Sequence, residues 1–346
     1  MKKGLGCLVT LLLVVGATFG GYSWVNWQVT TPVASRSEPV TLVIRPGETE
    51  AQIASALQAK GVIRDQRVFT TYLRVTGQGS QIEAGQVTVN RDMSMPQLAR
   101  ALSQAHVSTL QIRLGEGLTI KPMAQQAAQQ GAGAATDYES LADNRAAWAA
   151  QFPFVSGLPS TAPNTLEGFL FPNTYQILPQ DGAKGLIQRQ LQTFQQSVQP
   201  LVPPLAQATA ARPAVSLYSV LILASITERE ETGEPARSIV CGIFYNRLAQ
   251  GMPLGSDASV LFALGRSSGS LSATDLQVNS PYNTRVNPGL PPGPINSPSL
   301  DSITACANPQ PSNYIYFFND SKGVLHYAAT YAEFQAQQQQ YGVSTP

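Results

Sequence analysis

The chain is 346 residues long, more than one typical hydrophobic core accommodates, so two domains with additional segments are expected. Its 22 basic and 21 acidic residues leave a net charge of +1, without the cationic excess that phosphate backbones demand, which argues against nucleic acid as a partner. Only 12% of residues are charged and 43% are hydrophobic, enough to bury substantial cores.

Residues 1–3 (Met-Lys-Lys) precede an uncharged, mostly apolar stretch from Gly4 to Trp27. About 20 such residues span a bilayer as a helix. The expectation is a transmembrane helix over 4–27, with Lys2 and Lys3 cytoplasmic and Tyr22, Trp24 and Trp27 at the far interface. A cleaved signal peptide is the competing reading. The length of the apolar run, and aromatic residues where a small-residue cleavage motif is needed, favour the anchor. On either reading the rest of the chain lies outside the cytoplasm, here as a single-pass protein of the plasma (inner) membrane.

Residues 28–40 are polar and aperiodic and read as a linker. A pattern then repeats over 41–130. In TLVIRPGETEAQIASAL a strand (Leu42–Ile44) and a turn at Pro46-Gly47 lead to a helix capped by Thr49, with Gln52 completing a capping box. The second copy, QVTVNRDMSMPQLARAL, has Val87 and Val89 in the strand, Ser94 as cap and Gln97 three residues on. A weaker third echo is QIRLGEGLTIKPMAQQA, with Thr119 as cap. Between the first two copies, Arg64–Val75 reads as a helix with Val68, Phe69, Tyr72 and Leu73 inward. The residues themselves define a small α+β module. The strand–PGET–helix unit resembles a LysM repeat, which implies binding to polymers of N-acetylglucosamine; a spacer or docking surface is the alternative.

Residues 131–346 form the remaining domain, expected to be mainly helical with short strands, which makes the whole chain α+β. Ala183–Ser197 reads as an amphipathic helix, and Ser216–Pro235 (SLYSVLILASITEREETGEP) runs from an apolar segment into four glutamates. A further amphipathic helix follows in PARSIVCGIFYNRLAQGM, and Asp257 reads as the N-cap of a short helix. Ser280–Pro298 is too rich in Pro and Gly for regular structure and too long for a turn, as expected of a loop that lines something.

Only two histidines are present, His106 and His326, and no HExxH, paired CxxC, GxSxG or phosphate-binding loop occurs. Neither a metal nor a cofactor is expected, and His326 reads as a histidine satisfied by local hydrogen bonds. Cys241 and Cys306 are open to either reading, one disulfide or two buried thiols.

The carboxylates are more informative. Residues 217, 221, 224 and 228 step by four, three and four, so Leu217, Leu221, Ala224 and Glu228 share one helix face. Glu228 is therefore the acid directed inward, while Glu230, Glu231 and Glu234 read as a solvated helix end. A carboxyl held against apolar walls resists ionisation, the property a general acid needs near neutral pH.

Five segments in order, LEGFLFPNTY, ASITEREET, GIFYNRLAQGMPLGSDASV, SPYNTRVNPGLPPGPINSPS and HYAATYAEF, resemble the YceG-like family of MltG-type endolytic murein transglycosylases. The resemblance implies a membrane-anchored enzyme acting on peptidoglycan glycan strands, with peptidoglycan synthases as potential partners. The family's catalytic glutamate is the first acid after the ASI element, here Glu228, serving first as acid and then as base. Asp257, Tyr282, Asn283, Thr284 and Glu167 are the expected substrate contacts. The chain departs from the family pattern in having EREET where EKET is usual, Ala258 for a proline and Asn173 for an aspartate. A hydrolytic muramidase and a non-catalytic glycan-binding scaffold are the rival expectations.

Overall fold

In the computed structural model the described residues are 20–45, 47–103, 109–230, 233 and 235–343. The structure is α+β and divides into two units, Met1–Thr109 and Leu110–Pro346. The expectations for Lys2, Lys3, residues 4–19, Pro46, His106, Glu231 and Glu234 lie outside the described residues.

The first unit contains helix α1 (residues 20–30), β1 (Pro39–Ile44), α2 (Glu50–Ala59), α3 (Gln66–Thr76), β2 (Gly85–Asn90) and α4 (Met95–Ser103). Among the described residues no helix is long and apolar enough to cross a membrane. Helix α1 continues through the first residues of the expected linker. It is followed by carbonyls of Thr31 and Pro32 that accept from Arg64 at 2.6 and 2.5 Å, and the Arg64 guanidinium lies 4.5 Å from the Trp27 ring centroid.

Strands β1 and β2 pair antiparallel, with Pro39 opposite Asn90 and Ile44 opposite Gly85. Alternation along the strands turns Leu42, Ile44, Val87 and Val89 toward one core. Ile53 and Leu57 of α2, Phe69 and Leu73 of α3, and Leu98 and Leu102 of α4 complete it. The first two copies of the sequence pattern thus give one strand each to a single sheet, because a lone strand has no ladder partner. Helix α2 carries the expected capping box, and Asp65 caps α3 by accepting from the Arg67 N–H at 2.7 Å. The third echo behaves differently: its strand β3 (Leu110–Arg113) pairs antiparallel with β4 (Thr174–Ile177), within the second unit.

The second unit continues with α5 (Ile120–Gln129), α6 (Ala135–Ala142), β4, α7 (Gly182–Val198), α8 (Val202–Leu205) and α9 (Leu217–Glu230). After these come α10 (Ala236–Ala249), α11 (Asp257–Ala263), α12 (Leu300–Ala307), the antiparallel pair β5 (Tyr316–Asn319) and β6 (Leu325–Ala328), and α13 (Tyr331–Tyr341). Helix α9 is apolar on nearly every side, so it sits in the core, packed against α10, α11 and α12. Cys241 of α10 and Cys306 of α12 form a disulfide, with their Cα atoms 5.2 Å apart. The loop before β4 turns beneath the Pro-rich loop at Gly168, whose φ is +85° and where an added Cβ would lie 2.5 Å from Pro294. His326 is satisfied locally, with Nε2 3.1 Å from Asp320 Oδ2 and its ring stacked on Tyr341 and Phe318.

Candidate active site

The inward row of α9 is realised. Leu221 and Ala224 are fully buried, and Glu228, one turn on, has a side chain only 8% exposed. Two loops flank it. The Gly115–Thr119 loop and the end of the Pro-rich loop pair through Leu118 and Ser297, with the Gly117 N–H donating to Ser297 O at 2.9 Å. Gly117 has a φ of +66°, and a Cβ there would meet Glu228 Cγ at 3.4 Å, so the loop backbone runs directly against the acid. The Pro-rich loop is fastened to α9 at Ser225: the Ile295 N–H donates to its Oγ at 3.0 Å and Asn296 Nδ2 to its carbonyl at 2.6 Å.

That fastening delivers the start of α12 to Glu228. Its Oε2 accepts from the Ser299 N–H at 3.1 Å, the Ser299 hydroxyl at 2.6 Å and the Ser302 hydroxyl at 2.5 Å. Ser299 is also the N-cap of α12, its Oγ accepting from the Ser302 N–H, so helix initiation and carboxylate binding use the same residue. Oε1 faces Arg237 Nη2 at 3.6 Å, and Arg237 reaches on to Asp301 at 3.7 Å. The apolar wall expected around Glu228 therefore covers only its α9 side; hydroxyls, an amide and a guanidinium form the other. Oε2 thus accepts three hydrogen bonds, and Oε1 faces the Arg237 guanidinium.

Glu116 stands nearby. It is exposed, yet partial desolvation, and then the Glu228 charge, raise its carboxyl above the ordinary glutamate range, while Arg237 opposes the shift. Glu116, Arg237, Ser299 and Ser302 were not singled out by sequence reasoning. Ser299 alone carried a local signal, a serine just before an apolar run, and that signal indicates a helix start rather than a carboxylate ligand.

The expected substrate contacts divide by burial. Asp257 is exposed and bound to Arg285 at 2.6 Å. It is the first residue of α11 and not its cap; Ser256 holds the cap position, and its hydroxyl donates to Glu230 Oε1 at 2.5 Å. Glu230 is thus tied to the next loop instead of simply solvated. Tyr282 is half-buried with its ring 4.8 Å from that of Phe262, and burial pushes its hydroxyl up to about 12.

Asn283 and Thr284 are buried and their side chains are used within the protein. Asn283 Nδ2 donates to the carbonyls of Leu276 and Val278, and Thr284 Oγ1 accepts from the Ser256 N–H. Glu167 is also buried. Its Oε2 accepts from the Ile120 N–H at 3.1 Å, filling the role expected of Thr119, whose side chain makes no capping bond to α5. Burial pushes the Glu167 carboxyl up to about 8, so it keeps its proton at neutral pH. No group of three or more metal-ligating side chains occurs among the described residues.

The site is thus built around one near-buried carboxylate, held by two serines on one oxygen and facing a guanidinium on the other. The chain belongs to the YceG-like family, whose model matches residues 42–340. It is 29% identical to the endolytic murein transglycosylase of Streptococcus pneumoniae D39, over 93% of this chain and 62% of that one. It is 28% identical to the endolytic murein transglycosylase of Bacillus subtilis 168, over 95% of this chain and 91% of the other. The fold matches the crystal structure of a YceG-like protein from Listeria monocytogenes with a TM-score of 0.60 and 27% identity, covering 87% of this chain and all of that one. The chain spans 62% of the length of its pneumococcal relatives.

Proposed function

We infer that the chain is an endolytic lytic transglycosylase that cuts the β-1,4 bond between N-acetylmuramic acid and N-acetylglucosamine in peptidoglycan glycan strands. The observation that carries this reading is the fixing of Glu228 Oε2 by Ser299 and Ser302, which leaves Oε1 for proton transfer. Protonated at Oε1, Glu228 donates its proton to the glycosidic oxygen as the C1–O bond breaks. The resulting carboxylate then accepts the proton of the muramyl C6 hydroxyl, whose oxygen bonds to C1 and closes a 1,6-anhydro ring. One carboxyl serves both steps, so no second carboxylate is required to activate water. Arg237 is positioned to stabilise the carboxylate between the steps.

Asp257 and Tyr282 are read as substrate-facing, and Glu167, Asn283 and Thr284 as residues that hold the walls of the site. The first unit is read as a LysM-like glycan-binding module, and residues 4–27 as a single-pass anchor in the plasma (inner) membrane, where peptidoglycan synthases would be partners.

The names of the relatives support lytic cleavage over hydrolysis by a muramidase, in which Asp257 would handle water; its carboxylate is engaged by Arg285. Mass spectrometry of digested sacculi tests the assignment. Anhydro ends are expected from the wild type and loss of cleavage from Glu228→Gln. Reducing ends, or undiminished cleavage by that variant, refute the mechanism.

A further inference from the structure

A small cleft of about 70 Å³ opens next to the loop that presses on Glu228, and two of its lining residues, Arg229 and Arg266, have no part in the site described above. Gly117, whose backbone presses on Glu228, forms part of its wall, as does Arg229, the residue after the acid. Arg266 supplies a second guanidinium, while Leu118, Ala258 and Phe262 supply apolar surface. Arg229 Nη2 donates to the Ser267 carbonyl at 2.5 Å, an arrangement that orients the guanidinium; among the described residues it has no carboxylate partner. Arg266 lies 3.5 Å from Asp275 and donates to the Ser270 carbonyl at 2.9 Å. The cleft is therefore lined by two guanidiniums, that of Arg266 paired with Asp275, together with apolar surface. That combination suits a carboxylate carried on a short aliphatic arm, since a guanidinium binds carboxylates through paired N–H donors.

We propose that this cleft binds a carboxylate of the side arm on the muramyl sugar at the scissile bond, an inference that rests on the function proposed above. Two parts of that arm carry such a group: the peptide stem, and the lactyl group once its stem has been removed. Either would anchor the sugar across the Gly117 loop from the acid, where binding can orient the reacting bond.

The test compares initial rates of cleavage on three glycan preparations: strands with native stems, strands whose stem carboxylates have been converted to carboxamides, and strands stripped of stems by an amidase. The wild type is expected to favour native over amidated stems about tenfold in kcat/KM, the size of one charge-assisted hydrogen bond. In Arg229→Gln that ratio should fall to about one, and in Ala258→Leu, which fills the cleft without altering charge, it should fall likewise. Arg229→Lys should retain part of it. If the Arg229 dependence appears on stripped strands instead, the lactyl carboxylate is the ligand. A ratio near one in the wild type with no Arg229 dependence on stripped strands, or unchanged ratios in both folded variants, overturns the inference while leaving lytic cleavage intact. Absence of cleavage by the wild type, or retained cleavage by Glu228→Gln, defeats the underlying function and this inference with it.

Discussion

Glu167 offers a test of the site's architecture that does not depend on catalysis. Its carboxyl is buried, has Oε1 without a hydrogen-bond partner among the described residues, and is pushed up to about 8 from an ordinary value of 4.5. Below pH 4.5 the group is protonated in both the folded and unfolded chain. Between 4.5 and about 8 the unfolded chain releases the proton while the folded protein keeps it, so stability falls as pH rises through that window. Each pH unit of full difference corresponds to about 1.4 kcal/mol, which gives a loss of roughly 3–4 kcal/mol between pH 5 and pH 8 from this residue.

Glu167→Gln has the shape of the protonated acid, retains an acceptor for the Ile120 N–H, and cannot ionise. Urea unfolding of both proteins at pH 5, 6.5 and 8 isolates the effect, because all other titrating groups cancel in the difference between them. The wild type should lose ground to the variant progressively with pH, by about 3–4 kcal/mol over the range. A difference that stays constant to within about 1 kcal/mol would show that Glu167 ionises normally, and the reading of it as a neutral buried brace under α5 would fail.

Ser299→Ala and Ser302→Ala each remove one hydroxyl donor to Glu228 Oε2. Each should lower kcat by about ten- to a hundredfold with KM little changed, and their effects should not add in the double variant; steady-state kinetics on isolated glycan strands checks this. Reducing the Cys241–Cys306 disulfide, or replacing both residues by serine, opens a loop spanning 65 residues between α10 and α12. A loss of about 4 kcal/mol in unfolding free energy is expected in denaturant titrations, and no loss would mean that helix packing alone holds the two helices together.

Local patterns accounted for most of the helices. The capping box at Thr49, the amphipathic stripe of α7 and the apolar run of α9 are short-range features, and each appears where spacing placed it. The inward direction of Glu228 was legible for the same reason, since helical phase is a property of neighbouring residues. Strand partners were not legible. The two strand–helix copies and their weaker third echo do not say which strands pair, yet β1 joins β2 whereas β3 joins β4, more than 60 residues away in the chain.

The same limit applies to the site. Asp257 reads locally as a cap, but Ser256 takes that position and Asp257 pairs with Arg285. Thr119 also reads as a cap, but the N–H at the start of α5 is met by Glu167, distant in sequence. The sequence by itself determined which acid faces inward and which segments are helical, because both follow from spacing along one element. Only the tertiary structure decided what meets that acid. Ser299, Ser302 and Arg237 arrive from two other helices, and the packing of α9, α10 and α12 against one another brings their polar groups to a single carboxylate.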